Sequence, residues 1–139
     1  MKYACLVYHE AKETSEISEA DLAAIIAECE AAAAWRAELQ QGGHHVLSAG
    51  LQSPRTARTL RKVDGKLSVT DGPFAETKEM LGGFTIIEAR DESEALRLAS
   101  KFASGLITVE VRPLVDPSAQ PSDPVDQKIA AALRRQAPA

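Results

Sequence analysis

The apolar positions of this chain fall into blocks whose period changes along its length, and those changes mark the predicted elements. Tyr3 to Tyr8 is apolar at every position, the pattern of a strand buried on both faces. After a polar stretch, Ser18-Glu19-Ala20-Asp21 has capping-box spacing, in which a hydroxyl and a carboxylate each satisfy a backbone N–H at a helix start. The helix is expected to run to about Gln41 and stop at Gly42-Gly43, where glycine accepts a left-handed conformation. Leu22, Ile25, Ile26, Cys29 and Ala33 form one stripe, which is expected to face the core. Ala20, Ala24, Ala27, Ala31, Ala34 and Trp35 share the opposite side, where charges are usual. Either alanine serves there as a helix former, or this flat face packs on a partner subunit or on the chain's own tail.

Shorter periods follow. His45 to Leu51 reads as a strand, and residues 57–63 and 66–70 flank Asp64-Gly65, a two-residue hairpin signal. Gly83 to Ala89 reads as another strand. Asp91-Glu92-Ser93-Glu94 then caps a second helix, which carries Ala95, Leu96, Leu98, Ala99 and Phe102 and ends at Ser104-Gly105. In the last strand Ile107, Val109 and Val111 alternate with Thr108, Glu110 and Arg112. Beyond Pro113 the chain becomes a proline-rich linker, and Asp123-Pro124 can open a short helix through Ile129, Ala132 and Leu133. This gives a domain over residues 1–115 and a tail over 116–139. Without the hairpin the order is βαββαβ, an α+β, ferredoxin-like fold with a β-hairpin inserted. Two helices cover one sheet face, so the other is expected to be buried in a homodimer.

Composition narrows the function classes. At 139 residues, 45% hydrophobic and 26% charged, the chain suits a single soluble core. A net charge of −4 and a pI near 5.4 argue against direct nucleic-acid binding. The basic cluster Arg55, Arg58, Arg61 and Lys62 lacks interleaved aromatics and reads as a solvated surface. The apolar N-terminal run is too short for a signal core or a membrane span, so a cytoplasmic location is expected. There Cys5 and Cys29 read as two buried, reduced thiols. No CxxC and no metal-ligand spacing of histidines is present, so neither a metal nor a cofactor is expected. Neighbouring His44 and His45 point to opposite faces.

The densest chemistry lies between Thr70 and Phe84. Asp71 is expected to accept backbone N–H groups of the residues after it, and Gly72 gives the freedom needed before Pro73. Pro73 is expected to open a short helix, AETKEML, anchored by burial of Phe74, with Glu76 and Glu79 on its solvated side. Gly82-Gly83 permits a close backbone approach. The loop is either a structural turn or one that also edges a ligand cleft.

The segment VTDGPFAETKEMLGGFTIIEARDESEALRLA, followed by VEVRPL, resembles the YCII-related proteins, in the branch with the Asp-Gly-Pro-Phe signature. The resemblance runs from residue 1 to about 115. It implies a ferredoxin-like fold that dimerises sheet to sheet into a dimeric α+β barrel with a cleft, and it implies no single activity. Some members have a His–Asp pair proposed as catalytic, with the His on the first helix and the Asp before a proline after the second. Here no histidine lies between Ser18 and Gly43, and FASGL follows the second helix, so no catalytic residue is assigned. Many members are encoded beside extracytoplasmic-function sigma factors.

Glu110 and Arg112 are expected to face the dimer cleft, with Tyr8 and His9 at the end of the first strand beside them. Asp71 and Phe74 edge it. These form the candidate substrate-binding set: Tyr8, His9, Asp71, Phe74, Glu110 and Arg112. An arginine in an apolar cleft orients an anionic or phenolic substrate, and a nearby acid or phenol moves a proton. The bland alternatives are a cross-strand Glu110–Arg112 ion pair and an exposed strand-end histidine. Two functions follow: a metal-independent small-molecule enzyme or ligand-binding protein, or a non-catalytic sensor or adaptor associated with a sigma factor.

Overall fold

A computed structural model describes residues 1–136 and 138. The elements are β1 (Lys2–Glu10), α1 (Glu19–Gln41), β2 (His45–Gly50), β3 (Arg58–Val63), β4 (Lys66–Asp71), β5 (Glu79–Glu88), α2 (Glu92–Ser100), β6 (Ile107–Pro113) and α3 (Pro124–Gln136). The result is an α+β fold: a four-stranded antiparallel sheet in the order β2-β5-β1-β6, with β3 and β4 forming a separate two-stranded ribbon. Asp64 and Gly65 turn that ribbon with φ of 51° and 76°, the positive pair that a two-residue hairpin requires.

The helix caps match their sequence signals. The Ser18 hydroxyl accepts the Asp21 N–H at 3.1 Å, and the Asp21 carboxylate accepts the Ser18 N–H at 2.9 Å. Gly43, at φ 75°, ends α1. In α2 the Asp91 carboxylate accepts the Glu94 N–H at 2.8 Å, and the Glu94 carboxylate accepts the Arg90 N–H at 2.7 Å.

Both α1 and α2 lie on one sheet face. Tyr3 and Cys5 of β1, Ile87 of β5 and Ile107 of β6 form the floor, covered by Trp35 and Leu39 of α1 and by Leu98 and Phe102 of the α2 segment. This rotates α1 away from the expected orientation without inverting it, since Ala27, Ala31 and Ala34 of the opposite side are exposed as well. Leu22 and Ile26 are 52% and 51% exposed, Cys29 is exposed, and Trp35 is buried. The indole decides the face, because it buries more apolar area than any aliphatic residue on the helix and gives its N–H to the Leu98 carbonyl at 2.9 Å. Of the two thiols, only Cys5 is buried, and burial pushes its pKa up to about 11.

Two further expectations are corrected. No helix forms over AETKEML; β5 starts at Glu79, four positions before the expected start at Gly83, because Glu79, Met80 and Leu81 pair with Glu10, His9 and Tyr8 of β1. Sheet pairing outweighs local helix propensity there. The tail does form a helix, and the Asp123 carboxylate accepts the Val125 N–H at its start. Arg134 of this helix donates to the carbonyls of Pro117 and Ala119 in its own linker, and Ala130 is fully buried. Trp35, the expected docking place, already lies in the core beneath α2.

Candidate functional site

Small residues facing each other across the core leave it incompletely filled. Ala24 and Ala32 of α1 and Gly82 and Gly83 of β5 line a cleft of about 670 Å³ that opens between helix and sheet. A pocket of that size is in the range that accepts a small organic ligand. Trp35, Phe102 and Ile107 form its apolar end.

The two glycines shape the floor differently. A side chain on Gly83 would place its Cβ 2.9 Å from the Ala49 carbonyl oxygen, so β2 and β5 close only over glycine. A Cβ on Gly82 would lie 2.3 Å from the His9 imidazole, which rests across that position. Gly82 is the extra residue of a bulge: Val7 faces Gly83, and Tyr8 faces Leu81.

Polar groups converge on this floor. The His45 Nε2 lies 2.9 Å from the Ser48 Oγ, which lies 3.0 Å from the Thr85 Oγ1. Ser48 and Thr85 both line the cleft, as does His9, so an imidazole is connected to the cleft through two hydroxyls. Such a chain can supply or accept a proton at a bound hydroxyl or carbonyl group. At the rim, Lys12 donates to Asp21 at 2.8 Å. That hydrogen bond, followed by those from Ser18, holds the Asp21 carboxyl at about 2.

The candidate set divides over three places. Tyr8 is opposite Thr108, Leu6 opposite Glu110 and Ala4 opposite Arg112, so Tyr8, Glu110 and Arg112 share the open sheet face. Glu110 and Arg112 form an ion pair at 2.7 Å along a single strand, rather than across strands. His9 points to the other face, into the cleft beneath α1. Asp71 and Phe74 belong to the ribbon. Asp71 is the cross-strand partner of Arg58 and pairs with its Nε at 3.2 Å, instead of taking the following backbone N–H groups. Phe74 is 72% exposed, with the Arg61 guanidinium 4.5 Å from its ring centroid, so it is not a buried anchor. Gly72, at φ 95°, does need to be glycine.

Ser48, Thr85 and His45 were missing from the candidate set. The available signal was parity, because Ser48 and Thr85 are polar residues at inward positions of otherwise apolar strands. Among the described residues no group of three His, Cys, Asp or Glu side chains is arranged to hold a metal. No helix there is long and apolar enough to cross a membrane.

The YCII-related domain matches residues 1–116, which include the sheet, α1, α2 and the whole cleft. The chain belongs to the YCII-related family. It is also similar to an uncharacterized protein of Rhizobium meliloti (strain 1021), 35% identical over 117 residues that cover 82% of this chain and 92% of that protein. The YCII-related domain stops before α3, so the helical tail is an addition to it.

Proposed function

We propose that this YCII-related protein binds a small, partly apolar molecule in the cleft between α1 and the sheet. The observation that carries the reading is the convergence of His9, Ser48 and Thr85 in a mostly apolar cleft of about 670 Å³, whose lining also carries the charged Glu10, Lys12, Asp21, Glu28, Arg36 and Arg55. Apolar walls supply affinity, and a few placed hydrogen-bonding groups supply orientation. The His45–Ser48–Thr85 chain suits a ligand with a hydroxyl or carbonyl group at that point, and it makes proton transfer to that group the chemistry available.

The second part of the reading is a homodimer. Ala4, Leu6, Phe84, Ile86 and Leu47 lie on the sheet face that neither α1 nor α2 covers, which supports pairing with a second copy through that face. Tyr8, Glu110 and Arg112 would then border the interface rather than the ligand.

Trp35 lines the cleft and is the protein's single tryptophan, so it reports on occupancy. Titration with 1-anilinonaphthalene-8-sulfonate is expected to quench Trp35 by energy transfer, and Ala24→Phe, which fills the cleft, is expected to abolish that quenching. Equal quenching in both proteins would overturn the cleft as the site. Sedimentation at micromolar concentration is expected to give a dimer, and a monomer would overturn the pairing.

A further inference from the structure

The charged side chains that line the cleft differ in burial. Glu10, Lys12, Arg36 and Arg55 are exposed, whereas Asp21 and Glu28 are half-buried. Lys12 neutralises Asp21 at 2.8 Å. Glu28 enters no ion pair among the described residues. The positions one turn before and after it on α1 are Ala24, Ile25, Ala31 and Ala32, so its own helix supplies no cation. Arg36 lies about 12 Å further along the helix axis, beyond the reach of a direct pair. Arg55 stands 3.7 Å from Glu13.

A carboxylate held partly out of water gives up hydration that only a counter-charge or a hydrogen-bond donor restores. The surroundings of Glu28 limit what can bring one. Ala24, Ile25, Cys29 and Ala32 make the wall about it small and apolar. Trp35 and Phe102 stand at the closed end, about 10 Å along α1 from Glu28. An apolar ring fits between that aromatic end and the carboxylate, and aromatic faces attract a nearby cation as well.

We propose that the ligand of the cleft is a small amine, with its apolar body toward Trp35 and Phe102 and its ammonium group on Glu28. The ammonium gives Glu28 charge-assisted N–H···O bonds and replaces the missing counter-charge. Ser48 and Thr85, on the sheet side, then meet a hydroxyl or carbonyl group of the same molecule. The inference rests on the cleft being the binding site, as proposed above, and adds the charge of the ligand and the residue that reads it. Glu28 is thus the specificity-determining side chain of the helical wall.

The test is a competition in the full-length protein, with the neutral dye N-phenyl-1-naphthylamine as reporter and Trp35 quenching as readout. Three competitors share one ring: 1-naphthylmethylamine, 1-naphthalenemethanol and 1-naphthoic acid, which are cationic, neutral and anionic at neutral pH. The amine is expected to displace the dye at a several-fold lower concentration than the alcohol, and the acid at the highest. Glu28→Gln keeps the size and helix propensity of the side chain. It is expected to bind the dye as before and to bring the amine level with the alcohol, while Arg36→Gln is expected to leave the order unchanged. Equal displacement by all three, a preference for the acid, or an amine preference that survives Glu28→Gln overturns the role of Glu28 and leaves the cleft standing as a site. A dye that does not quench Trp35, or that quenches it equally in Ala24→Phe, overturns both.

Discussion

The indole of Trp35 lies on the ring of Phe102, with centroids 5.0 Å apart and planes 7° from parallel. The pair joins α1 to the end of α2 and forms the closed end of the cleft. The Trp35 N–H, bonded to the Leu98 carbonyl, fixes the rotation of α1 about its own axis.

Truncating this pair should be costly. Phe102→Ala is expected to destabilise the protein by about 3–5 kcal/mol, the usual cost of deleting a buried aromatic ring. Trp35→Phe keeps the stacking but leaves the Leu98 carbonyl without its donor, and is expected to cost about 1–3 kcal/mol. Urea unfolding followed by circular dichroism checks both, and a smaller loss for Phe102→Ala than for Trp35→Phe would contradict the packing described.

The elements that were legible in the sequence are those with local chemical signatures. Ser18 with Asp21, Asp91 with Glu94, and Asp64-Gly65 each specify a backbone conformation through nearby groups, and each is found as expected. The orientation of α1 depends on residues far away in the chain. An aliphatic count favours the Leu22 stripe, whereas Leu98 and Phe102 select Trp35. For the same reason AETKEML reads as helical by itself and becomes strand opposite β1. The candidate site mixed side chains from both sheet faces and the ribbon, because parity alone does not say which face a helix will cover.

Alanine at the two floor glycines should give different results. Gly83→Ala meets the Ala49 backbone oxygen and is expected to separate β2 from β5, lowering the melting temperature by several degrees. Gly82→Ala meets only the His9 ring, which can rotate away. It is expected to cost less stability and to move the His9 ring resonances in an NMR spectrum. The reverse ranking of melting temperatures would count against the cleft floor.

Gly72 should tolerate no branched residue. At φ 95° a β-branched side chain is strained, and Gly72→Val is expected to cost about 1–3 kcal/mol. Glu76→Ala removes an exposed carboxylate and is expected to change stability by less than about 0.5 kcal/mol. Equal denaturation midpoints for the two variants would contradict the loop geometry.

Acid should act on the start of α1. Asp21 is held at about 2, below its usual 3.8, first by Lys12 and then by Ser18. Its folded value is the lower one, so the ionised carboxylate stabilises the protein above about pH 4, and that contribution is lost as the pH falls toward 2. Asp21→Asn is therefore expected to flatten the dependence of stability on pH between about 4 and 2. An unchanged profile would show that Asp21 ionises as freely in the fold as in the unfolded chain.

The place of β1 in the sheet sets a condition on biosynthesis. Of these strands it is the first to leave the ribosome, yet its partners are β5 and β6, whose paired residues begin at Glu79 and end at Pro113. At bacterial or eukaryotic elongation rates of about 5–20 residues per second, the apolar segment Tyr3 to Tyr8 waits several seconds for its neighbours. Pairing between such distant segments makes folding slow, and it leaves the nascent chain dependent on whatever shelters that segment until β6 has emerged.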